Sequence, residues 1–150
     1  MTAMVPPGRH LLRVAIIATF LTYFSNSAGA SETMRMCRAG ERNGPEKHCL
    51  VDGDTIWIHG SNIRLEGFDT PEPATEICGG EAEVQLAHLA SNRLLELLNS
   101  NSWTVETFGI DGTGKRLLGT IRIDGRDVGD ILISEGLARS WPEGDEWWCP

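Results

Sequence analysis

The chain has 150 residues, with 13 Lys and Arg against 21 Asp and Glu, and a formal net charge of −8. That length suits one domain with one core, and no repeat or low-complexity tract is visible. Proteins that grip nucleic acid through its phosphates are usually basic, so the acidic balance argues against a tight phosphate binder and leaves room for an enzyme with a locally favourable site.

In chain order, residues 1–30 read as a secretory signal. Arg9 and Arg13 supply a positive start, residues 14–24 an apolar run, and Ala28-Gly29-Ala30 a cleavage site. The run is short for a membrane span; an uncleaved anchor is the competing reading, and neither places the segment in the functional domain. Cleavage after Ala30 removes two arginines and no acid, leaving 120 residues, 11 basic against 21 acidic, net −10. The expectation is a secreted or periplasmic monomer without stable membrane association, with an N-terminal segment over 31–46 and a domain over 47–150.

The cysteines are Cys37, Cys49, Cys78 and Cys149. An even number behind a signal favours disulfides. Three pairings are possible. Cys37–Cys49 is favoured because it ties the N-terminal segment onto the first strand; Cys78–Cys149 would then pin the tail to the loop beyond Glu72. Each could stabilise the fold by roughly 3 kcal/mol. A zinc site is poorly supported, with no C-x-x-C pair and no suitably spaced histidine.

Asn43-Gly44-Pro45 reads as loop, and residues 47–52 as the first strand. Residues 55–59 and 63–66 form a hairpin about Gly60-Ser61-Asn62. In its second arm Ile63 and Leu65 point one way, Arg64 and Glu66 the other. A hairpin brings its outer ends together, so Asp54 and Asp69 can meet. Two carboxylates plus a carbonyl or hydroxyl suit Ca²⁺ or Mg²⁺. Residues 68–80 are loop, broken by Pro71, Pro73 and Gly79-Gly80.

Residues 81–99 are the clearest helix. Ala82, Leu86, Leu89, Ala90, Leu94, Leu97 and Leu98 make a core-facing stripe, and Glu81 and Glu83 suit the positive end of the helix dipole. A fourth strand over 102–108, a Gly-rich loop over 110–115, a fifth strand over 116–123, an Asp124-Gly125 turn and a shorter helix over 128–136 follow. Five strands with a helix between the third and fourth make an α+β order of elements, to which the family resemblance that follows gives the name five-stranded OB-type barrel. His48, His59 and His88 form no constellation and read as surface or packing residues. Trp57 and Trp103 read as core or half-buried strand residues, and Trp141, Trp147 and Trp148 as a tail cluster.

The order Asp52-Gly53-Asp54-Thr55, then Ile63-Arg64-Leu65, then Asp69-Thr70-Pro71-Glu72 resembles the staphylococcal nuclease family, and the similarity continues to about Ala138. Singly, each motif has a plainer reading as a turn or a solvated strand face; their order and spacing carry the resemblance. It implies the OB-fold of that family, with one long helix after the third strand and a shorter one after the fifth. It further implies a Ca²⁺ held by Asp54, Asp69 and the Thr70 carbonyl, with Asp52 orienting metal-bound water. Glu72 would activate the attacking water, and Arg64 and Arg116 would stabilise the transition state. The implied activity is hydrolysis of DNA or RNA, single- or double-stranded, with little sequence preference, leaving 3′-phosphate ends.

Two departures bear on substrate affinity. The family's loop before the second arginine carries a tyrosine, whereas this chain reads Asp111-Gly112-Thr113-Gly114-Lys115-Arg116. The chain also ends soon after Ala138, before the long C-terminal helix of the type member; Trp141 could substitute in part for the aromatic lost. The alternative function is a nuclease-like OB module, weak or inactive in catalysis, that binds a protein or nucleic-acid partner.

Overall fold

The computed structural model describes residues 32–74 and 78–149. The expected signal segment lies outside the described residues. Among those described, no helix is long and apolar enough to cross a membrane.

The fold is α+β, of the staphylococcal-nuclease OB type. Strands β1 (Cys49–Leu50), β2 (Thr55–Ile58) and β3 (Ser61–Leu65) form an antiparallel meander. The short β4 (Phe68–Asp69) precedes helix α1 (Gly80–Ser100). Strands β5 (Trp103–Ile110), β6 (Leu117–Ile123) and β7 (Arg126–Asp127) lead into α2 (Val128–Ser134), and β8 (Arg139–Ser140) follows. The main sheet runs β1-β2-β3-β6-β5 with β7 on β6; its β3–β6 contact is parallel, and β4 and β8 pair as a separate antiparallel ribbon.

The expected barrel needs one correction. Among the described residues no pairing runs from β5 back to β1, so the sheet stays open. Helix α2 packs against β4, β6, β7, β8 and α1 instead. Leu50, Ile56, Leu65, Phe68, Leu94 and Ile121 lie at the centre of the core.

Two turns set the register. His59 and Gly60 both have positive φ (46° and 82°), as do Asp124 and Gly125 (49° and 80°). Positive φ at both central residues marks the type I′ turn, whose twist matches the strands it joins. The first turn falls one residue earlier than expected, so Ser61 and Asn62 belong to β3. The Gly60 N–H donates to the Lys47 carbonyl at 2.9 Å. A Cβ on Gly60 would come within 2.7 Å of the Gly44 carbonyl oxygen, so the chain before β1 runs tightly across the hairpin tip. His48 and His59, expected to stand apart, come together there with ring centroids 4.8 Å apart.

The N-terminal segment adds to the sheet edge. The Leu50 N–H donates to the Arg35 carbonyl at 2.7 Å, and the Cys37 N–H to the Leu50 carbonyl at 2.8 Å. Cys37 is bonded to Cys49, and Cys78 to Cys149.

The helix stripe is the second correction. Ala82 and Leu89 are exposed and Leu86 is half-buried, while the buried face carries Glu83, Ala87, Ala90, Ser91, Leu94, Leu97 and Leu98. Both sets satisfy a period of 3.6 residues. Near the start of α1 the inward position is Glu83, whose carboxylate accepts the Glu72 and Gly79 N–H groups.

Gly129, in the first turn of α2, abuts the Phe68 ring, and an added Cβ would overlap it. Phe68 and Gly129 are both buried, so relief requires moving α2 away from β4. Gly129→Ala is expected to destabilise the protein by about 1–3 kcal/mol, measured by urea unfolding; an unchanged midpoint would contradict this packing.

Candidate active site

The segment joining β1 to β2 places the first two carboxylates. An oxygen of Asp52 accepts the Asp54 N–H at 3.2 Å. A Cβ on Gly53 would come within 2.7 Å of the Thr70 side chain, so only glycine lets this turn lie against Thr70. Asp54 is 4% exposed, and its Oδ1 accepts the Thr55 hydroxyl at 2.8 Å. Across the hairpin Thr55 pairs with Arg64, and the Leu65 N–H donates to the Asp54 carbonyl at 2.8 Å. These backbone contacts fix Arg64 beside Asp54.

Arg64 Nη2 lies 3.3 Å from Asp54 Oδ2 and 3.3 Å from Asp69 Oδ1. The two acids thus meet around one guanidinium. Asp69 pairs in register with Arg139 of β8, and its Oδ2 accepts from Arg139 Nε at 3.0 Å. Thr70 is buried, and Glu72, two residues on, presents an exposed side chain.

Burial, first, and the charge of Asp52, second, push the Asp54 carboxyl well above its ordinary range; Arg64 and the Thr55 hydroxyl pull the other way. Glu72 is also raised, by burial first and then by Asp52 and Asp69, with Arg64 opposing. The cluster carries more negative charge than its arginines neutralise, and its donors are carboxylate and carbonyl oxygens. Such a donor set fits a hard divalent cation.

Arg116 is organised separately. Asp111 Oδ2 accepts from Arg116 Nε at 2.7 Å. Its Oδ1 accepts the Thr113 hydroxyl at 2.7 Å and the backbone N–H groups of Lys115 and Arg116 at 3.2 and 3.3 Å. The Thr113 hydroxyl, first, and the Arg116 guanidinium hold the Asp111 carboxyl well below the usual carboxylate range. Arg64 and Arg116 line one groove of about 280 Å³ together with Glu66 and Trp141. A neighbouring cavity of about 240 Å³ is lined by Asp69, Thr70, Glu72, Glu83, Arg139 and Trp141, among others. Trp141, 49% exposed, borders both. Its ring faces Arg139, whose guanidinium carbon is 4.9 Å from the centroid.

Two residues at this site were not singled out from the sequence. Arg139 is buried and joins Asp69 to the tail, donating to the Gly144 carbonyl at 2.6 Å and to Glu146 Oε1 at 2.6 Å. Glu83 is fully buried; its carboxylate accepts the Glu72 N–H at 3.1 Å and the Gly79 N–H at 2.8 Å. It therefore caps the start of α1, where the N-cap position is a glycine without a side chain. Glu83 was legible only as a first-turn acid, and nothing local in the sequence marked Arg139. The expected tail cluster resolves into a buried Trp148 and exposed Trp141 and Trp147.

The staphylococcal nuclease homologue family matches residues 62–145, more than half of the chain. The match takes in Arg64, Asp69, Thr70, Glu72, Arg116 and Arg139, and begins after Asp52 and Asp54. The succinoglycan biosynthesis protein ExoI of Rhizobium meliloti (strain 1021) is 32% identical over 128 residues, which cover 83% of this chain and 60% of that relative. The chain thus spans less than two thirds of that relative's length. The chain belongs to the staphylococcal nuclease homologue family.

Proposed function

We propose that the protein is a secreted or periplasmic, Ca²⁺-dependent phosphodiesterase that hydrolyses DNA or RNA with little sequence preference. One observation carries the reading: Asp54 and Asp69 converge on Arg64, and Arg64 shares a groove with Arg116.

In this reading Asp54, Asp69 and the Thr70 carbonyl hold the ion, and Asp52 orients water beside it. When bound there, Ca²⁺ supplies Lewis-acid stabilisation of charge on the scissile phosphate. Arg64 exchanges its carboxylate contacts for phosphate oxygens as substrate arrives. Arg116, gripped by Asp111 through Nε, offers a second guanidinium to the same phosphate; Arg forks match its equatorial oxygens. Glu72 takes the proton of the attacking water. Attack at phosphorus breaks the bond to the 5′-oxygen, which takes a proton from solvent and leaves as a hydroxyl; Glu72 returns its proton to solvent, and the 3′-phosphate remains.

A second reading, a nuclease-like module that binds a partner without catalysis, draws on the acidic balance and on Glu66 and Asp111 in the same groove as the arginines. Retention of Arg64, Glu72 and Arg116 together favours the enzyme, because binding alone requires no such set.

The test is cleavage of single- and double-stranded DNA and RNA by the purified protein with Ca²⁺, with Mg²⁺ and with chelator. Cleavage is expected to require Ca²⁺, and Glu72→Ser or Arg116→Ala to lower kcat by at least about 100-fold with the fold intact. Full activity in either variant overturns the site assignment; no cleavage by the folded wild-type protein selects the binding module.

Glu83→Gln probes positioning of Glu72. An amide can accept only one of the two backbone N–H groups that Glu83 now serves, and its NH₂ opposes the other. The expected outcome is a loss of about 1–3 kcal/mol in stability and a lowered kcat with KM unchanged. A variant less stable but with wild-type kcat would confine Glu83 to a structural role.

A further inference from the structure

We propose that His48, His59 and Glu32 form a second metal site, for a divalent d-block cation of the zinc class, at the tip of the β2–β3 hairpin. The three side chains offer two imidazole nitrogens and a carboxylate oxygen, all within 4.8 Å of one another. His59 Nδ1 lies 3.7 Å from Glu32 Oε2.

His48 carries most of the inference. Both of its ring nitrogens are buried, and neither has a hydrogen-bond partner among the described residues. A buried imidazole without a partner is unusual, and a metal ion would satisfy one nitrogen. Burial, first, and the neighbouring His59 hold its pKa below the ordinary value, which favours the neutral form that ligates metals. Arg35, the other cation acting on His48, is itself paired with Glu41.

Bond lengths of about 2.0–2.2 Å put tetrahedral ligand atoms about 3.4 Å apart. The widest separation, 4.8 Å, must therefore contract by about 1.4 Å. The side chains of His59 and Glu32, 68% and 69% exposed, can turn inward onto the fixed His48. Two imidazoles and one carboxylate select zinc-class ions over calcium, so the chemistry differs from the all-oxygen site at Asp54. From this tip to the Thr55–Arg64 pair is about 10–13 Å of strand, so the two sites are separable. A bound ion would link Glu32 to the hairpin, next to the Cys37–Cys49 disulfide, and keep an open position for water.

The test uses chelator-treated, full-length purified protein titrated with Co²⁺ in excess Ca²⁺. Wild-type protein is expected to develop the visible absorption of tetrahedral Co²⁺ at one equivalent, to lose it to Zn²⁺, and to gain several degrees in Tm with Zn²⁺. His48→Asn and His59→Gln should lose the band and the Tm gain, and keep the Ca²⁺-dependent activity of the wild type; Asp54→Asn should keep the band. His59 is exposed, so its replacement leaves the fold standing if His48→Asn does not. Absence of Co²⁺ and Zn²⁺ binding by folded wild-type protein overturns the proposal. So does a band kept in His59→Gln or lost in Asp54→Asn.

Discussion

Arg64 stands between two carboxylates that would otherwise face each other. Asp54 is buried at the start of β2, Asp69 ends β4, and the guanidinium lies 3.3 Å from each. Burying like charges is unfavourable without compensation. The hairpin register puts Arg64 opposite Thr55, the Leu65 N–H holds the Asp54 carbonyl, and the β4–β8 ribbon sets Arg139 against the far side of Asp69. Even beside Arg64, burial and the charge of Asp52 push the Asp54 carboxyl above its ordinary range. Such a site gains from a cation at the carboxylates and from an anion on the arginines, the two charges that a metal-bound phosphodiester brings together.

The polar residues behind this pair do structural work at the same time. Glu83 closes the start of α1 and holds the backbone of Glu72; Arg139 fastens the tail to Asp69. The Cys78–Cys149 bond joins the same two segments. A Cβ on Gly79 would come within 2.6 Å of the Trp148 carbonyl oxygen, so the tail lies directly on the start of α1. The wall of the cavity beside Glu72 is thus built from two segments distant in the sequence and joined by the Cys78–Cys149 bond. The acidic balance of the chain leaves this groove to attract nucleic acid through two arginines and whatever ion it holds, which favours weak binding over tight binding.

The hairpin, both helices and the order of the acids and Arg64 were legible because turn chemistry and periodicity are local. Asp124-Gly125 and the alternation around Arg64 lie where expected. The sequence was silent where partners are distant. Asp69 and Arg139 are separated by 70 residues, and β4 and β8 are too short to show a pattern. Of the expected stripe, Ala90, Leu94, Leu97 and Leu98 are buried, while Ala82 and Leu89 are exposed, because near the helix start Glu83 takes the inward position and bonds the Glu72 and Gly79 N–H groups. His48 and His59 looked unrelated at a spacing of 11 residues until the chain before β1 crossed the hairpin tip. Barrel closure depends on whether the outermost strands meet, which no local pattern specifies.

The most direct test of the central pair is a crystal structure with Ca²⁺ and a short single-stranded oligonucleotide bound to the Glu72→Ser variant. The account predicts one Ca²⁺ bound by Asp54, Asp69 and the Thr70 carbonyl, with Arg64 turned off the carboxylates onto a phosphate that Arg116 also contacts. Arg64 still bridging Asp54 and Asp69, with the ion or the phosphate elsewhere on the surface, would contradict it.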